Sequence, residues 1–318
     1  MPISPHRRRA VIALGGNSIT RSGEEGTVDQ DYRNLEESLE CVIELVTAGY
    51  EIVVTHGNGP QIGNQMIRVE LAKGEAPDLP LDVMGADIQG GLGYMIERVL
   101  RSKLRARGLQ PRVCCLLMMV EVDPNDPSMQ SPTKFVGPFY TEEQANRFGS
   151  ERGWKMKKDA NRGWRRVVPS PDPIGIVERH ELTMLLEAGS IVISGGGGGI
   201  PVARSATGEL KGVEAVVDKD LSSTIIALNV DAPELFILTG VDRVKLNYGT
   251  PEETAVAMMS VKEARRYLAD GQFPAGSMGP KIDAACRFIE GGGGRALITD
   301  DAHLASAIRG DAGTWITI

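Results

Sequence analysis

Two lysines stand where helices are expected to begin, and that placement suits the binding of an anion. Lys219 lies in Val217-Asp218-Lys219-Asp220, immediately before the helix-like run 221–229, and Lys281 closes the segment 275–281 before a further helix-like run. The amino end of a helix presents unpaired N–H groups and partial positive charge. Taken alone, a charged segment at a helix start is explained by capping. Two lysines so placed, with an aspartate between them, favour a site for a transferred phosphoryl group.

Glycine is over-represented, and its positions indicate where such an anion would bind. The chain has 38 glycines in 318 residues, about 12% against an average near 7%. Several clusters follow strand-like runs, at the edge where a parallel sheet binds its ligands. These clusters are Gly15-Gly16 before Asn17, His56-Gly57-Asn58-Gly59-Pro60, Gly195 to Gly199, and Gly240 with Asp242. The run Gly291 to Gly294 is interpreted instead as a helix end and return turn.

Spacing argues against two widespread nucleotide-binding motifs. A P-loop is excluded because the dipeptide Gly-Lys does not occur in the chain. Gly57, Gly59 and Gly63 superficially resemble a dinucleotide fingerprint, but their spacing differs from it by one residue. No acidic residue closes a second strand about 20 positions further on, as ribose binding would require. An NAD-binding dehydrogenase is therefore a remote alternative.

Strand-like runs alternate with helix-like stretches over most of the chain, which predicts a largely parallel sheet covered by helices on both faces. In the helix-like stretches, apolar residues recur on one face, as at Leu35, Leu39, Val42 and Val46. The strand-like runs are Arg9 to Leu14, Glu51 to Thr55, Val113 to Val120, Ser190 to Ile193, Glu234 to Thr239, Arg295 to Thr299 and Trp315 to Ile318.

The region from Glu121 to Pro173 breaks this rhythm. It holds seven of the 18 prolines and two of the three tryptophans. A stretch of this length without alternation predicts a lid or protruding subdomain rather than a simple connection. Its lysines and arginines are interleaved with Trp154 and Trp164, which leaves a nucleic-acid patch as an alternative. The solvated face of a small subdomain is favoured, because acidic residues lie nearby and the whole chain is acidic.

Composition is that of a globular chain with a sizeable core. Hydrophobic residues make up 42% and charged residues 24%, and 35 basic against 42 acidic residues give a net charge of −7. This balance argues against a nucleic-acid partner. The longest apolar run, Val113 to Val120, is too short to span a membrane, and the basic start precedes too short an apolar stretch for a signal peptide. We therefore expect a cytoplasmic protein with no membrane partner, whose cysteines are reduced core residues: Cys41, Cys114, Cys115 and Cys286.

Six motifs in order make the chain from about Arg9 to its end closely similar to the carbamate kinases of the amino-acid kinase superfamily. The motifs are Ala13-Leu14-Gly15-Gly16-Asn17, His56-Gly57-Asn58-Gly59-Pro60-Gln61, residues 161–165 with Val168-Pro169-Ser170-Pro171, Gly196 to Pro201, Val217-Asp218-Lys219-Asp220, and Pro274 to Lys281. The resemblance implies a three-layer αβα sandwich with a mainly parallel central sheet and a protruding lid subdomain. It also implies a homodimer and reversible phosphoryl transfer between ATP and carbamate, with ADP and carbamoyl phosphate as products and Mg²⁺ as cofactor.

The resemblance also implies roles for particular residues. The implied catalytic residues are Lys134, Lys219, Asp220 and Lys281, where Lys134 is brought to the substrate by the lid. The implied substrate-binding residues are Gly15, Gly16, Asn17, Gly57, Asn58 and Gly59. The implied nucleotide-binding residues are Gly196, Gly197, Lys219, Gly240, Asp242, Tyr248, Ala275, Gly276, Ser277, Met278, Gly279 and Lys281. No residue is assigned as a direct metal ligand, because nucleotide oxygens and water can hold the ion.

The whole chain, 1–318, is expected to form one amino-acid kinase domain. Residues 1–185 would form the carbamate-side lobe, including the lid excursion 121–173, and residues 186–318 the nucleotide-side lobe. Carbamate is already an anionic oxygen nucleophile, so the reaction needs no general base. His56 is accordingly interpreted as structural. The alternatives left open are a related kinase for another small acid and a nucleotide-binding regulator without turnover.

Overall fold

The computed structural model describes residues 8–110, 112–159, 162–274 and 276–318. The helices are α1 (Val28–Ser38), α2 (Glu40–Thr47), α3 (Gly59–Leu71), α4 (Leu81–Ala106), α5 (Pro127–Gln130), α6 (Glu142–Arg152), α7 (Arg179–Glu187), α8 (Lys219–Asn229), α9 (Val261–Ala269), α10 (Met278–Glu290) and α11 (Leu304–Arg309). The strands are β1 (Arg8–Ala13), β2 (Tyr50–Thr55), β3 (Val113–Cys115), β4 (Met119–Val122), β5 (Lys134–Tyr140), β6 (Lys155–Lys158), β7 (Trp164–Val168), β8 (Pro173–Ile176), β9 (Ile191–Ile193), β10 (Ile200–Arg204), β11 (Leu210–Gly212), β12 (Glu234–Leu238), β13 (Val244–Leu246), β14 (Thr254–Val256), β15 (Met258–Ser260), β16 (Arg295–Thr299) and β17 (Thr314–Thr317).

The large central sheet is mainly parallel, as predicted. Among the described residues it has eight strands in the order β15-β17-β16-β12-β1-β2-β9-β3. Every neighbouring pair is parallel except β16 with β17. A crossover helix must link consecutive parallel strands, so the alternation in the sequence is explained by this sheet. Its carboxyl edge lies where β1, β2, β9 and β12 all end.

Alternate residues of the central strands enter two separate cores, one on each face of the sheet. Ile12 and Val54 belong to the core covered by α1, α2, α3, α4 and α11. Val11 and Val53 belong to the opposite core, which is covered by α7, α8, α9 and α10. A strand buried on both faces reads as a continuous apolar run, which is why these strands are conspicuous in the sequence. The three-layer αβα arrangement is thereby confirmed.

The apolar run Val113 to Val120 was predicted to form one strand, and this prediction is wrong. The run divides into β3, at the edge of the central sheet, and β4, which joins a second sheet in the order β11-β10-β4-β8. Gln89 of α4 fixes the crossing point, because its side-chain oxygen accepts a 2.6 Å hydrogen bond from the backbone N–H of Met118. Cys114 and Cys115 are also only partly buried, whereas Cys41 and Cys286 are buried as expected.

A small subdomain is formed by β5, α6, β6 and β7 within the proline-rich region. Its antiparallel sheet has the order β5-β7-β6, and Phe148 of α6 packs on Trp154 with ring centroids 5.2 Å apart. The subdomain docks on α3 through a close backbone approach, since a Cβ added to Gly63 would lie 3.7 Å from the Cα of Gly137. Gly137 itself has φ +76°, a conformation that favours glycine.

Arginines of this region form ion pairs and stacking contacts with residues of the subdomain and with residues beside it. The Arg166 guanidinium stacks over the Trp154 ring at 4.5 Å and pairs with Glu214. Arg165 pairs with Asp159 at 3.1 Å. The interleaving of arginine and tryptophan in the sequence is explained by this packing. In the part of the chain that the structure describes, none of the helices combines the length and apolar character needed to cross a membrane.

Replacing Phe236 with alanine should strongly destabilise the fold. Phe236 lies in β12, is fully buried, and contacts the rings of Tyr50 and Trp315. Truncation of a buried aromatic ring leaves a cavity and costs about 3–5 kcal/mol. Urea denaturation of Phe236→Ala measures this loss, and Ile174→Ala, at a side chain that is 60% exposed, is the control. Equal stability of the two variants would contradict the assignment of this core.

Candidate active site

The carboxyl ends of three central strands, β1, β2 and β9, bring the glycine loops together. Gly15 and Gly16 follow β1, and Gly57 follows β2 at a distance where an added Cβ would lie 3.8 Å from the Cα of Gly16. The loop after β9 is tied to the loop after β2, because the N–H of Gly197 donates a 2.7 Å hydrogen bond to the carbonyl of His56. The loops therefore form one surface of closely spaced backbone groups.

The run Gly195 to Gly199 is required by crowding as well as by conformation. Gly197 and Gly198 have φ of +67° and +94°. An added Cβ on Gly197 would overlap the Asn58 side chain, and one on Gly198 would overlap the carbonyl of Val217. The glycine run is thus wedged between the loop after β2 and the segment that leads into α8. It holds these two parts of the site at a fixed separation.

A buried carboxylate shared by two lysines lies at the centre of the site. Lys219 opens α8 and donates from Nζ to Oδ1 of Asp220 at 2.8 Å, and Lys281, in the first turn of α10, donates to Oδ2 at 2.8 Å. The side chains of Lys219, Asp220 and Lys281 are only 14%, 7% and 15% exposed. One aspartate therefore brings two ammonium groups from different helices to the same point.

The charges of Lys219, Asp220 and Lys281 influence one another, because these side chains are in direct contact. Burial alone would raise the pKa of the Asp220 carboxyl, but the two lysines outweigh burial and hold that pKa below its usual range. Burial lowers the pKa of the Lys219 ammonium, against the opposing effect of Asp220. Two ammonium groups against one carboxylate leave a net positive charge in a weakly hydrated place, and such a place attracts an anion.

Lys134, at the start of β5, reaches the same helix from the small subdomain. Its Nζ donates a 2.8 Å hydrogen bond to Oδ2 of Asp218. Asp218 is the N-cap of α8, and its Oδ1 accepts a 2.9 Å hydrogen bond from the N–H of Asp220. The structure thus brings the four predicted catalytic residues to the first turns of α8 and α10.

His56 is buried behind the glycine loops as a neutral ring. It is 1% exposed, and its Nδ1 lies 3.0 Å from the carbonyl of Gly57, where a protonated Nδ1 would donate. Nε2 has no hydrogen-bond partner among the described residues. Burial, together with the nearby positive charge of Lys219, lowers the pKa of His56 to about 4. A ring with this pKa and this enclosure supports the loops and is a poor general base at neutral pH.

Two adjoining cavities open beside the lysines and share Thr239 and Gly240. The first has a volume of about 280 Å³ and a mostly apolar lining that includes Tyr248, Phe273 and Met278. The second has a volume of about 440 Å³ and is lined by Gly15, Gly16 and Lys281, among others. A mostly apolar cavity that continues into a more polar one beside Lys281 fits a molecule with a planar ring at one end and phosphates at the other.

The predicted nucleotide-binding residues do not all line these cavities. Gly240, Tyr248, Ser277 and Met278 line the first, and Gly240 and Lys281 line the second. Asp242 and Gly279 instead make structural contacts: the carbonyl of Asp242 accepts from the Thr299 hydroxyl at 3.1 Å, and the N–H of Gly279 donates to the carbonyl of Pro274 at 3.0 Å. Gly276 is exposed. Asn17 lies in a short 3₁₀ turn, Gly16–Ser18, Gly59 begins α3, and Ala275 and Asn161 are outside the described residues.

Several cavity-lining residues were not predicted. They are Thr239, Val241, Arg243, Lys245, Phe273 and Pro274 in the first cavity, and Ser18, Arg21, Leu238, Thr239, Asp300, Asp301 and Ala302 in the second. Asp300 and Asp301 directly follow β16, so the rule that ligands bind at carboxyl strand ends would have found them. Arg243 and Lys245 carry no such signal, because a short irregular hairpin brings them to the cavity.

Known proteins resemble this chain over nearly its full length. The Amino acid kinase family matches residues 8–300. The carbamate kinase of Pyrococcus horikoshii is 47% identical over 311 residues, which cover 97% of this chain and 99% of the relative. The carbamate kinase of Pyrococcus furiosus is 46% identical over the same length, with the same coverage. The structure of the Giardia lamblia carbamate kinase bound to AMP-PNP matches with a TM-score of 0.92 at 37% identity, covering 98% of each chain.

The chain therefore belongs to the amino acid kinase family. Within that family it belongs to the carbamate kinases.

Replacing His56 with asparagine should reduce the sensitivity of the fold to acid. The folded pKa, about 4 against an ordinary 6.5, means that the unfolded chain binds the proton more readily. Stability from the neutral ring is complete above about pH 6.5 and is lost as the pH falls toward 4, by about 3 kcal/mol in total. Asparagine keeps a donor for the Gly57 carbonyl and does not titrate. Thermal denaturation at pH 7 and pH 4.5 should show a smaller difference for His56→Asn than for wild type; equal differences would refute the buried neutral ring.

Proposed function

We propose that the protein transfers a phosphoryl group reversibly between ATP and carbamate, with ADP and carbamoyl phosphate as the other reactant pair. The observation that carries this proposal is the pair of ammonium groups of Lys219 and Lys281 on the shared Asp220 carboxylate, beside the glycine loops. In phosphoryl transfer the protein mainly positions the reactants and stabilises charge on the transferring group. A fixed pair of cations and a surface of backbone amides supply both.

We assign the substrate side of the site to the loops after β1 and β2. Gly15, Gly16, Asn17, Gly57, Asn58 and Gly59 would place carbamate near the lysines. Carbamate attacks through an oxygen that is already anionic, so no side chain has to remove a proton. The low pKa of His56 is consistent with this, because a neutral buried ring leaves the positive charge of the site to the lysines.

We assign the nucleotide side to the two adjoining cavities. The apolar lining of Tyr248, Phe273 and Met278 suits a purine ring, while Gly240 and Lys281 continue toward the phosphates. The Giardia lamblia relative binds AMP-PNP, which supports the use of ATP and ADP. Gly196, Gly197, Asp242, Ala275, Gly276, Ser277 and Gly279 complete the proposed nucleotide side, either by contact or by shaping its loops.

We further propose that Mg²⁺ accompanies the nucleotide. Both carboxylate oxygens of Asp220 accept from lysines, and the described residues contain no group of three or more His, Cys, Asp or Glu side chains that could hold a metal ion. This donor set fits an ion carried chiefly by nucleotide oxygens and water. Bound there, the ion would neutralise part of the phosphate charge.

The domain organisation is also proposed on these grounds. Residues 1–185 would handle carbamate and 186–318 the nucleotide, within one domain of 1–318. The excursion 121–173 would act as a lid that brings Lys134 to the substrate, as its contact with Asp218 at the head of α8 suggests.

ATP formation from carbamoyl phosphate, ADP and Mg²⁺ tests the proposed function. Wild type should form ATP in a coupled assay, and omission of Mg²⁺ should abolish the signal. Lys219→Ala and Lys281→Ala should each lower kcat by about 10²-fold or more, because each removes a charge from the transition state. Lys211→Ala, at a lysine that is 68% exposed on β11, is the matched control and should retain full activity.

Each outcome of this assay has a definite consequence. No ATP above the uncatalysed rate from folded wild type would overturn the reaction and favour a nucleotide-binding regulator or a kinase for another small acid. Full kcat in both lysine variants would overturn their assigned roles while leaving the reaction intact.

We propose a homodimer in the cytoplasm, with carbamate or carbamoyl phosphate and nucleotides as its small-molecule partners. Large apolar side chains are exposed at Val83 and Tyr94 of α4 and at nearby Leu117, and such a face is typical of a protein interface. Light scattering should give about twice the chain mass of 34.2 kDa. Tyr94→Glu should shift that mass toward the monomer, whereas Ile174→Glu should not. A monomeric wild type would refute the dimer.

A further inference from the structure

Asp218 divides its two carboxylate oxygens between different parts of the molecule. Oδ1 caps α8 by accepting from the N–H of Asp220 at 2.9 Å, and Oδ2 accepts from the Nζ of Lys134 at 2.8 Å. The first contact is local and fixes the orientation of the carboxylate relative to the helix that carries Lys219. The second crosses to the small subdomain. The direction in which Oδ2 points is therefore set by α8.

Main-chain hydrogen bonds also hold the small subdomain against the segment that leads into α8. Lys134 pairs with Val168 in the subdomain sheet, and the N–H of Val216, two residues before Asp218, donates a 3.0 Å hydrogen bond to the carbonyl of Pro169. The end of β7, the start of β5 and the entry to α8 thus meet at one place. The distance from Lys134 to Asp218 is fixed by main-chain contacts as well as by charge.

The ion pair between Lys134 and Asp218 is weak enough to form and break reversibly. The Lys134 side chain is 37% exposed and that of Asp218 is 20% exposed, and pairs of this kind contribute about 0–1 kcal/mol. Asp220 differs, because it is more deeply buried and its oxygens are both taken by other lysines. The Lys134 ammonium can therefore leave Asp218 for a multiply charged phosphoryl group at a small cost in free energy.

We propose that Asp218 is the positioning residue for Lys134: its Oδ2 holds the lysine ammonium at the head of α8 until the ammonium turns to the phosphoryl group that is transferred. This inference rests on the proposed function and adds to it a residue that acts through Lys134. The structure also supplies the variant that separates this role from capping, because asparagine at 218 keeps an oxygen for the Asp220 N–H and removes the negative charge.

A double-mutant cycle measures the inferred role. Asp218→Asn should lower kcat for ATP formation about fivefold, the factor that corresponds to roughly 1 kcal/mol, and leave the KM for ADP unchanged. In the Lys134→Ala background, Asp218→Asn should have no further effect. Asp218→Ala, which also loses the cap, should lower the melting temperature; Asp218→Asn should not. Equal effects of Asp218→Asn with and without Lys134 would overturn the proposal in favour of a structural role.

A second measurement does not depend on activity. Acetylation by acetic anhydride requires a free amine, so loss of the ion pair should speed acetylation of Lys134 severalfold in Asp218→Asn, as read by peptide mass spectrometry. Asp172→Asn, which breaks the exposed pair with Arg287, is the matched charge control and should leave the rate unchanged. An unchanged rate in Asp218→Asn would overturn the pairing. If wild type makes no ATP, the proposed function and the catalytic part of this inference fail together, while the acetylation rates still decide whether Asp218 holds Lys134.

Discussion

The candidate active site depends on one carboxylate that accepts hydrogen bonds from two lysines. Without Asp220, the ammonium groups of Lys219 and Lys281 would repel each other in a place with little water. With Asp220 present, each lysine donates to a different carboxylate oxygen at 2.8 Å. These two hydrogen bonds fix the position of the start of α8 relative to the start of α10. Removing one partner of a buried charged group is costly, because the remaining charge is left uncompensated. The trio therefore determines both the charge and the geometry of the site.

The glycine loops lie opposite these charged residues and limit the space in which an anion can bind. If an anionic substrate is to bind beside Lys219 and Lys281, the surface that faces these lysines must offer backbone N–H groups and leave the space free of side chains. The crowded contacts of Gly197 with Asn58 and of Gly198 with Val217 show how little space remains between the loop after β2 and the entry to α8. His56 fills the space behind these loops without adding a charge, which burial of its ring ensures.

The sequence was most informative where structure is local. All seven apolar runs predicted as strands supply strands of the central sheet, because burial on both faces leaves a continuous signal. The boundary inside Val113 to Val120 was missed, since a switch between two sheets has no local signature and is set by Gln89, which lies on another helix. Short strands such as β13 and β14 carry little periodicity. The pairing of Lys134 with Asp218 joins residues 84 positions apart, so only packing of the subdomain could reveal it.

The docking of the small subdomain on α3 links two properties that are separate in the sequence. Gly63 and Gly137 let the backbone of β5 approach α3 closely, and Arg152 of α6 pairs with Glu70 near the other end of α3. The same helix begins at Gly59, directly after the loop assigned to carbamate. The small subdomain and the loop assigned to carbamate thus both attach to α3, so a substitution that loosens one attachment would also disturb the other. In the proposed function, the motion of the lid and the precision of substrate placement are consequently coupled through α3, and a change that improves one is constrained by the other.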